Sequence, residues 1–158
     1  MTMDPKLVKD SQVFSTELVL PNDTNQLGNL LGGRLMHWID ISAAISAQRH
    51  TGRVCVTASV DELNFHHPIK LGEVVTLQSS VNRTFRSSME IGVIVTAQAL
   101  GGKERLANNA YLTFVAIDEN GRPVPVPPIV PKSSEEQRRF EEALQRREAR
   151  LKHRHKVE

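Results

Sequence analysis

A long apolar segment, about residues 32 to 49, is followed by four runs of alternating polarity. That order constrains the fold of this 158-residue chain more than any other feature. The length and alanine content of the first segment favour helix over strand. It is apolar over most of its circumference, which predicts a central helix buried on several sides. After the turn Thr51-Gly52-Arg53 the period changes to two. Val54, Val56, Ala58 and Val60 form the first apolar set, and Val75, Leu77, Ser79 and Val81 the second. Met89, Ile91, Val93, Val95 and Ala97 form the third, and Leu106, Asn108, Ala110, Leu112, Phe114 and Ala116 the last. Each set predicts a half-buried strand. Leu63 and Phe65 take over the apolar positions after Val60, so a β-bulge is expected near Asp61 and Glu62.

A further strand is expected over 13–20, ended by Pro21. A polar, glycine-containing loop follows over 22–31. The links at 82–87 and 100–104 are short, and Gly101-Gly102 suits a hairpin. Four strands in an antiparallel meander are therefore expected. The fold class is α+β: one long helix wrapped by a five- to six-stranded antiparallel sheet. One helix cannot cover both faces of such a sheet, so the open face and edge strands call for a partner subunit.

Residues 123–131 hold five prolines and predict an extended connector. Ser133 and Glu136 have capping-box spacing at the start of a charged C-terminal helix. Phe140, Leu144 and Leu151 are its only large apolar residues, so one thin stripe is expected to dock and the arginines to be solvated. The division expected is a body over 1–131, with its connector at 119–131, and a helical tail over 132–158.

Hydrophobic content of 39% and charged content of 24% fit a soluble globular chain. No apolar run approaches the ~20 residues that cross a bilayer, and no secretory signal pattern opens the chain. A cytoplasmic protein that binds neither membrane nor nucleic acid is expected. The single Cys55 excludes an internal disulfide, and its apolar strand predicts an inert buried thiol. The six Lys/Arg and two Glu from Arg146 onward leave that segment at +4 and the rest of the chain at −2.

Asp40 is the chemical anomaly, a carboxylate within the apolar helix. It is either a boundary residue facing water or paired with His37, or a carboxylate held in an apolar cleft as a base or nucleophile. Asn25 either shapes its own turn or orients a water or carbonyl. Gly32 and Gly33 open the helix, where free N–H groups and the helix dipole suit a developing oxyanion. The adjacent pair His66-His67 points apart on an extended chain, and neither HExxH nor a Cys/His set occurs, so no metal is expected. GxSxG, P-loop and GxGxxG motifs are also missing.

The segments Pro21-Asn22-Asp23-Thr24-Asn25, Gly28-Asn29, Gly32-Gly33 and Met36-His37-Trp38-Ile39-Asp40 carry a family likeness. So do Val56-Thr57-Ala58-Ser59-Val60-Asp61, Asn64-Phe65, Arg86-Ser87-Ser88-Met89-Glu90 and Val124-Pro125-Val126-Pro127-Pro128. Together they resemble the acyl-CoA thioesterases of the hotdog superfamily, and the cytosolic acyl-CoA hydrolase group in particular. The resemblance implies a hotdog fold, pairing of two hotdogs, and commonly a trimer of such pairs. It implies hydrolysis of fatty acyl-CoA to fatty acid and CoA without metal or organic cofactor. Its functional Asn and Asp fall on Asn25 and Asp40, contributed to one site by different subunits. Arg86, Ser87 and Ser88 are candidates for the CoA phosphates, and the basic tail for attracting them. A non-catalytic acyl-CoA-binding regulator remains open, as does a hotdog dehydratase or hydratase using His37 or His50.

Overall fold

The computed structural model describes residues 3–157 apart from Glu62 and His66. In chain order it forms β1 (Lys6–Leu7), a 3-10 turn (Val8–Ser11), β2 (Val13–Leu18) and a second 3-10 turn (Pro21–Asp23). Helix α1 (Gly32–Thr51), β3 (Cys55–Val60), β4 (Val74–Thr84) and β5 (Ser88–Gln98) follow. The chain ends with β6 (Arg105–Ala116), β7 (Ile129–Val130) and helix α2 (Ser134–Val157).

Helix α1 is the apolar segment expected. It stops at Gly52, whose φ of 65° and N–H to Gln48 carbonyl bond at 2.7 Å make a left-handed cap. Leu35, Ile39, Ser42, Ala43, Ser46, Ala47 and His50 are buried at helical spacing against the sheet. The buried hydroxyls are satisfied: Ser42 meets Ser79 at 2.5 Å and Ser46 donates to the Ser11 carbonyl at 2.7 Å. Burial on several sides is corrected, because Ile41 and Ile45 on the opposite face are exposed within one chain.

The five-stranded antiparallel sheet runs β2-β4-β5-β6-β3 and wraps α1. The expected four-strand meander is corrected to three, β4, β5 and β6. Residues 61–73 form a link too long for a hairpin. It carries the chain across the sheet, so β3 pairs with β6 and becomes an edge. The core is the inner face of β4 to β6: Val75, Leu77, Val81, Met89, Ile91, Val93, Val95, Leu112 and Phe114 are all buried there.

Two phase expectations also change. The bulge in β3 falls between Thr57 and Ser59, not at Asp61, and Glu62 lies outside the described residues. Cys55 pairs with Ala116 and Thr57 with Phe114, both core-facing, whereas Val56 pairs with outward-facing Val115. The inward set before the bulge is therefore Cys55 and Thr57, and Val56 faces out. In β6 the register shifts near Ala107, which is buried while Leu106 is exposed.

The proline connector is extended as expected but is fastened at several points. Val126 N–H donates to the Arg86 carbonyl at 3.0 Å, and β7 pairs in parallel with β1. The His50 ring meets the Pro127 carbonyl at 2.6 Å. Ser133 caps α2, accepting the Glu136 N–H at 3.1 Å.

The solvated arginine face expected for α2 is corrected as well, since α2 docks on the outer face of the sheet largely through arginines. Arg146 forks onto the fully buried Glu90 at 2.8 and 2.9 Å and stacks on Tyr111 at 3.6 Å. Arg150 pairs with Asp61 at 3.0 Å, and Arg83 of β4 stacks on Phe140 at 3.9 Å. Glu90 had to be matched because it projects from a central strand into a covered face, where an unpaired carboxylate is costly. Leu151, expected to dock, is exposed. Among the described residues no helix is long and apolar enough to cross a membrane.

Candidate active site

Asn25 sits in a tight Asx turn. Its Oδ1 accepts the N–H groups of Leu27 at 2.9 Å and Asn29 at 3.2 Å. The turn-forming reading of Asn25 is the one seen: the side-chain oxygen builds the turn, and the NH2 group takes no part in it. The turn is rigidly joined to the start of α1. Buried Asp23 accepts the Leu20 N–H at 2.9 Å, pairs with Arg34 at 3.1 Å, and offers its carbonyl to the Leu31 N–H at 2.8 Å.

A second loop braces the turn, through Leu30 N–H to Ile69 carbonyl at 2.6 Å and Leu71 N–H to Gly28 carbonyl at 2.9 Å. Glu73 anchors that loop by accepting the Lys70 N–H at 2.7 Å and a double bond set from Arg105. The Arg105 guanidinium holds the Glu73 carboxyl below its ordinary range.

No side chain caps the N-terminus of α1. Gly32 and Gly33 thus present first-turn N–H groups beside the Asn25 turn. A Cβ on Gly32 would lie 3.4 Å from the Phe65 ring, and one on Gly33 would meet nothing within 4 Å.

Asp40 lies two turns further along α1, half-buried. Its side-chain hydrogen-bond partner is not His37. Thr57 Oγ1 donates to Asp40 Oδ1 at 2.7 Å, tying α1 to edge strand β3. Sequence reasoning missed Thr57 as a site residue, because the apolar pattern placed Val56 inward. The signal available was the one-residue slip, whose position decides which side chain of β3 meets the helix.

Within one chain no hydrogen bond joins Asn25 to Asp40 among the described residues. Gly32 and Asp40, eight residues apart on one helix, are separated by about 12 Å of axial rise. The sequence-expected residues therefore form two units, Asn25 with Gly32 and Gly33, and Asp40 with Thr57.

Arg86, Ser87 and Ser88 are brought to a third place, the β4–β5 hairpin. Arg86 is exposed, Ser87 gives its carbonyl to the Ala116 N–H at 3.0 Å, and Ser88 Oγ lies 3.5 Å from Arg147.

Neither histidine of α1 is hydrogen-bonded to Asp40. His37 is exposed, and buried His50 is held by Pro127, its pKa lowered mainly by burial. His67 is exposed, and its neighbour His66 lies outside the described residues. Cys55 is half-buried rather than buried, with its Sγ 3.3 Å from Thr51, and burial pushes its thiol pKa up.

A helix wrapped by a five-stranded antiparallel sheet defines a hotdog fold. Residues 27–101 match the Thioesterase superfamily. An uncharacterized acyl-CoA thioester hydrolase of Bacillus subtilis is 44% identical over 146 residues, covering 92% of this chain and 85% of that protein. The cytosolic acyl coenzyme A thioester hydrolase of Homo sapiens is 39% identical over 142 residues, which are 88% of this chain and 37% of the human one.

Among solved structures, a hexameric acyl-CoA thioesterase superposes with a TM-score of 0.92 at 39% identity, covering 96% of this chain and 97% of its own. The Staphylococcus aureus acyl-CoA hydrolase, solved with butyryl coenzyme A, coenzyme A and coenzyme A disulfide, gives 0.90 at 37% identity, covering 96% and 93%. The chain belongs to the acyl-CoA thioester hydrolases of the Thioesterase superfamily.

Proposed function

We propose that this protein hydrolyses fatty acyl-CoA to a free fatty acid and coenzyme A, with Asp40 as the base or nucleophile. The observation that carries this reading is the 2.7 Å bond from Thr57 to Asp40. It engages Oδ1 and leaves Oδ2 as the acceptor for a water or the attacking atom.

Spacing supports the same residues. The Staphylococcus aureus hydrolase has alanine variants of an asparagine, an aspartate and a threonine, which lie 15 and 17 residues apart in turn. Asn25, Asp40 and Thr57 are separated by the same two intervals.

Asp40 Oδ2 takes a proton from water as the hydroxide oxygen adds to the thioester carbonyl. Alternatively, Oδ2 adds directly and gives a mixed anhydride that water then opens. In both, the carbonyl electrons move onto oxygen, held by the N–H groups of Gly32 and Gly33, and the C–S bond breaks as they return. An ordinary thiol pKa near ~8.5 makes the thiolate a fair leaving group. The step therefore calls for no metal or organic cofactor.

Each site draws its two units from different subunits: Asn25, Gly32 and Gly33 from one, Asp40 and Thr57 from the other. An oxyanion donor must stand about 2.7–3.1 Å from the oxygen it holds. That is difficult to reconcile with ~12 Å of rise between Gly32 and Asp40 in one chain. The outer edge of β3, with exposed Val56 and Val60 and Val54 just before it, and the exposed Ile41 and Ile45 of α1 support pairing there. A trimer of such dimers would match the hexameric relative, and a cytoplasmic location the cytosolic one.

The deciding experiment is thiol release from acyl-CoAs of several chain lengths. Stoichiometric fatty acid and CoA are expected. Tight binding without release would make the protein an acyl-CoA-binding regulator, and a changed acyl chain still joined to CoA would make it a dehydratase or hydratase.

A further inference from the structure

We infer that Glu73 is a positioning residue for the proposed hydrolysis: clasped by Arg105, it fixes the place from which the Asn25 turn meets the substrate. This rests on the shared-site reading above and names a residue that acts through Asn25 without touching the reacting atoms.

The Asn25 turn has no core of its own. Residues 24–31 are all half-buried or exposed. Thr24 and Leu30 close it as a small antiparallel bridge, and the Gly28 N–H donates to the Asn25 carbonyl at 3.0 Å. Its return arm lies on residues 69–71. Asn29 bridges Lys70, and the bonds from Leu30 to Ile69 and from Leu71 to Gly28 flank that bridge. A segment with few buried contacts is held by the neighbour it bonds to.

Two clasps of the same form hold the turn from different sides. Asp23 accepts the Leu20 N–H and returns its own N–H to the Leu20 carbonyl, both at 2.9 Å. Glu73 accepts the Lys70 N–H at 2.7 Å and returns its own N–H to the Lys70 carbonyl at 3.1 Å. An arginine then grips each carboxylate, Arg34 of α1 for Asp23 and Arg105 of β6 for Glu73. Asp23 thus ties the turn to the helix, and Glu73 ties it to the sheet. Buried Ile69 roots the 69–71 arm in the core, and Glu73 closes the loop that carries it.

The chemistry of this clasp requires a carboxylate. Glu73 is 5% exposed and accepts the Lys70 N–H and both terminal nitrogens of Arg105, one of which also reaches the Pro68 carbonyl at 3.2 Å. An ionised carboxylate only accepts, whereas a glutamine would turn its NH2 group toward one of these donors. The proposed reaction uses no proton of Glu73, so what this buried charge supplies is geometry. A misplacement of about 1 Å can cost ~10²-fold in rate.

Butyryl-CoA turnover by the intact protein tests the inference. Glu73→Gln should lower kcat about tenfold or more and change KM less than about twofold, the mark of support lost in the transition state. Arg105→Lys, which is exposed and still cationic, should give a smaller fall of the same kind. It replaces Glu73→Gln throughout if that variant does not fold.

Mixed oligomers separate positioning from general weakening. When Asp40→Ala is mixed with Asn25→Ala, the working site takes its Asn25 turn from the Asp40→Ala subunit. Adding Glu73→Gln to the Asn25→Ala subunit should leave the recovered turnover as it was. Adding it to the Asp40→Ala subunit should lower that turnover by the factor seen in the single variant. Equal turnover in the two arrangements, or a greater loss in the first, overturns the inference, as does an unaltered kcat in both single variants. A parent mixture that recovers nothing removes the shared-site reading and this one with it; recovery without the difference removes this one alone.

Discussion

Thr57 donates its hydroxyl hydrogen to Asp40 across 2.7 Å, joining edge strand β3 to the middle of the helix that the sheet wraps. Asp40→Ala should therefore fold, since Asp40 is only half-buried, and lose about 10²–10⁴-fold in turnover of a fatty acyl-CoA, the range of a positioned base. Circular dichroism and a thiol-release assay check the two halves of that expectation. Thr57→Val should lower kcat by about tenfold, and Thr57→Ser should restore most of it, because serine keeps the donor.

Mixed oligomers test the division of the site. Asn25→Ala and Asp40→Ala are each expected to be inactive alone. Unfolded together and refolded at equal ratio, they should regain about a quarter of wild-type activity, because half the dimers are mixed and each holds one intact site. No recovery, with subunit exchange verified by mass, would place both residues in one chain's site.

Glu90 and Arg146 govern the attachment of α2. Arg146→Ala leaves a wholly buried carboxylate with only Asn82 and, at 3.9 Å, Arg150 facing it, and should cost about 3–5 kcal/mol. Glu90→Leu with Arg146→Met removes both charges and should recover much of it. Chemical denaturation of the three forms reads the difference.

Gly92 protects the same cluster. A Cβ there would lie 2.6 Å from the Asn82 amide nitrogen, the group that donates to Glu90 at 2.9 Å. Gly92→Ala should lower stability by about 1–3 kcal/mol through that displacement. Pairing it with Asn82→Ala, which makes room, should cost less than the two changes added together.

His50 sets a pH dependence of stability. Burial lowers its pKa below the ordinary 6.5, so the unfolded chain takes up the proton first. Stability should be level above about pH 7, and fall as pH drops through 6.5 toward the lowered value. Glu73, whose pKa is depressed by Arg105, contributes in a separate window, lost as pH falls below 4.5. Thermal melts across about pH 2–8 should show two steps, and His50→Gln should remove the upper one.

The sequence made the helix and strands legible because their periods differ and the inner faces of β4 to β6 are continuous: Val75 to Val81 and Met89 to Ala97 are buried as the alternation implies. Asn25, Gly32, Gly33 and Asp40 were visible as polar or glycine positions out of keeping with their surroundings. Thr57 was not, because a bulge at Ala58 looks like any other phase slip until the partner strand is known. The arginines of α2 were misjudged for a related reason. Glu90 belongs to an alternating strand and reads as solvent-facing, and only the packed helix reveals that its face is covered.

The crossover of β3 also sets a schedule for the nascent chain. Thr57 lies 17 residues after Asp40, yet its ladder partner Phe114 is another 57 residues on. At ~5–20 residues per second, translation leaves β3 waiting roughly 3–11 s for β6. The carboxylate and the hydroxyl that orients it are locked together only once the whole sheet has been made. A truncated or stalled chain would then carry the helix without the complete Asp40–Thr57 pair, so on the proposed function chemistry would be withheld until synthesis is nearly complete.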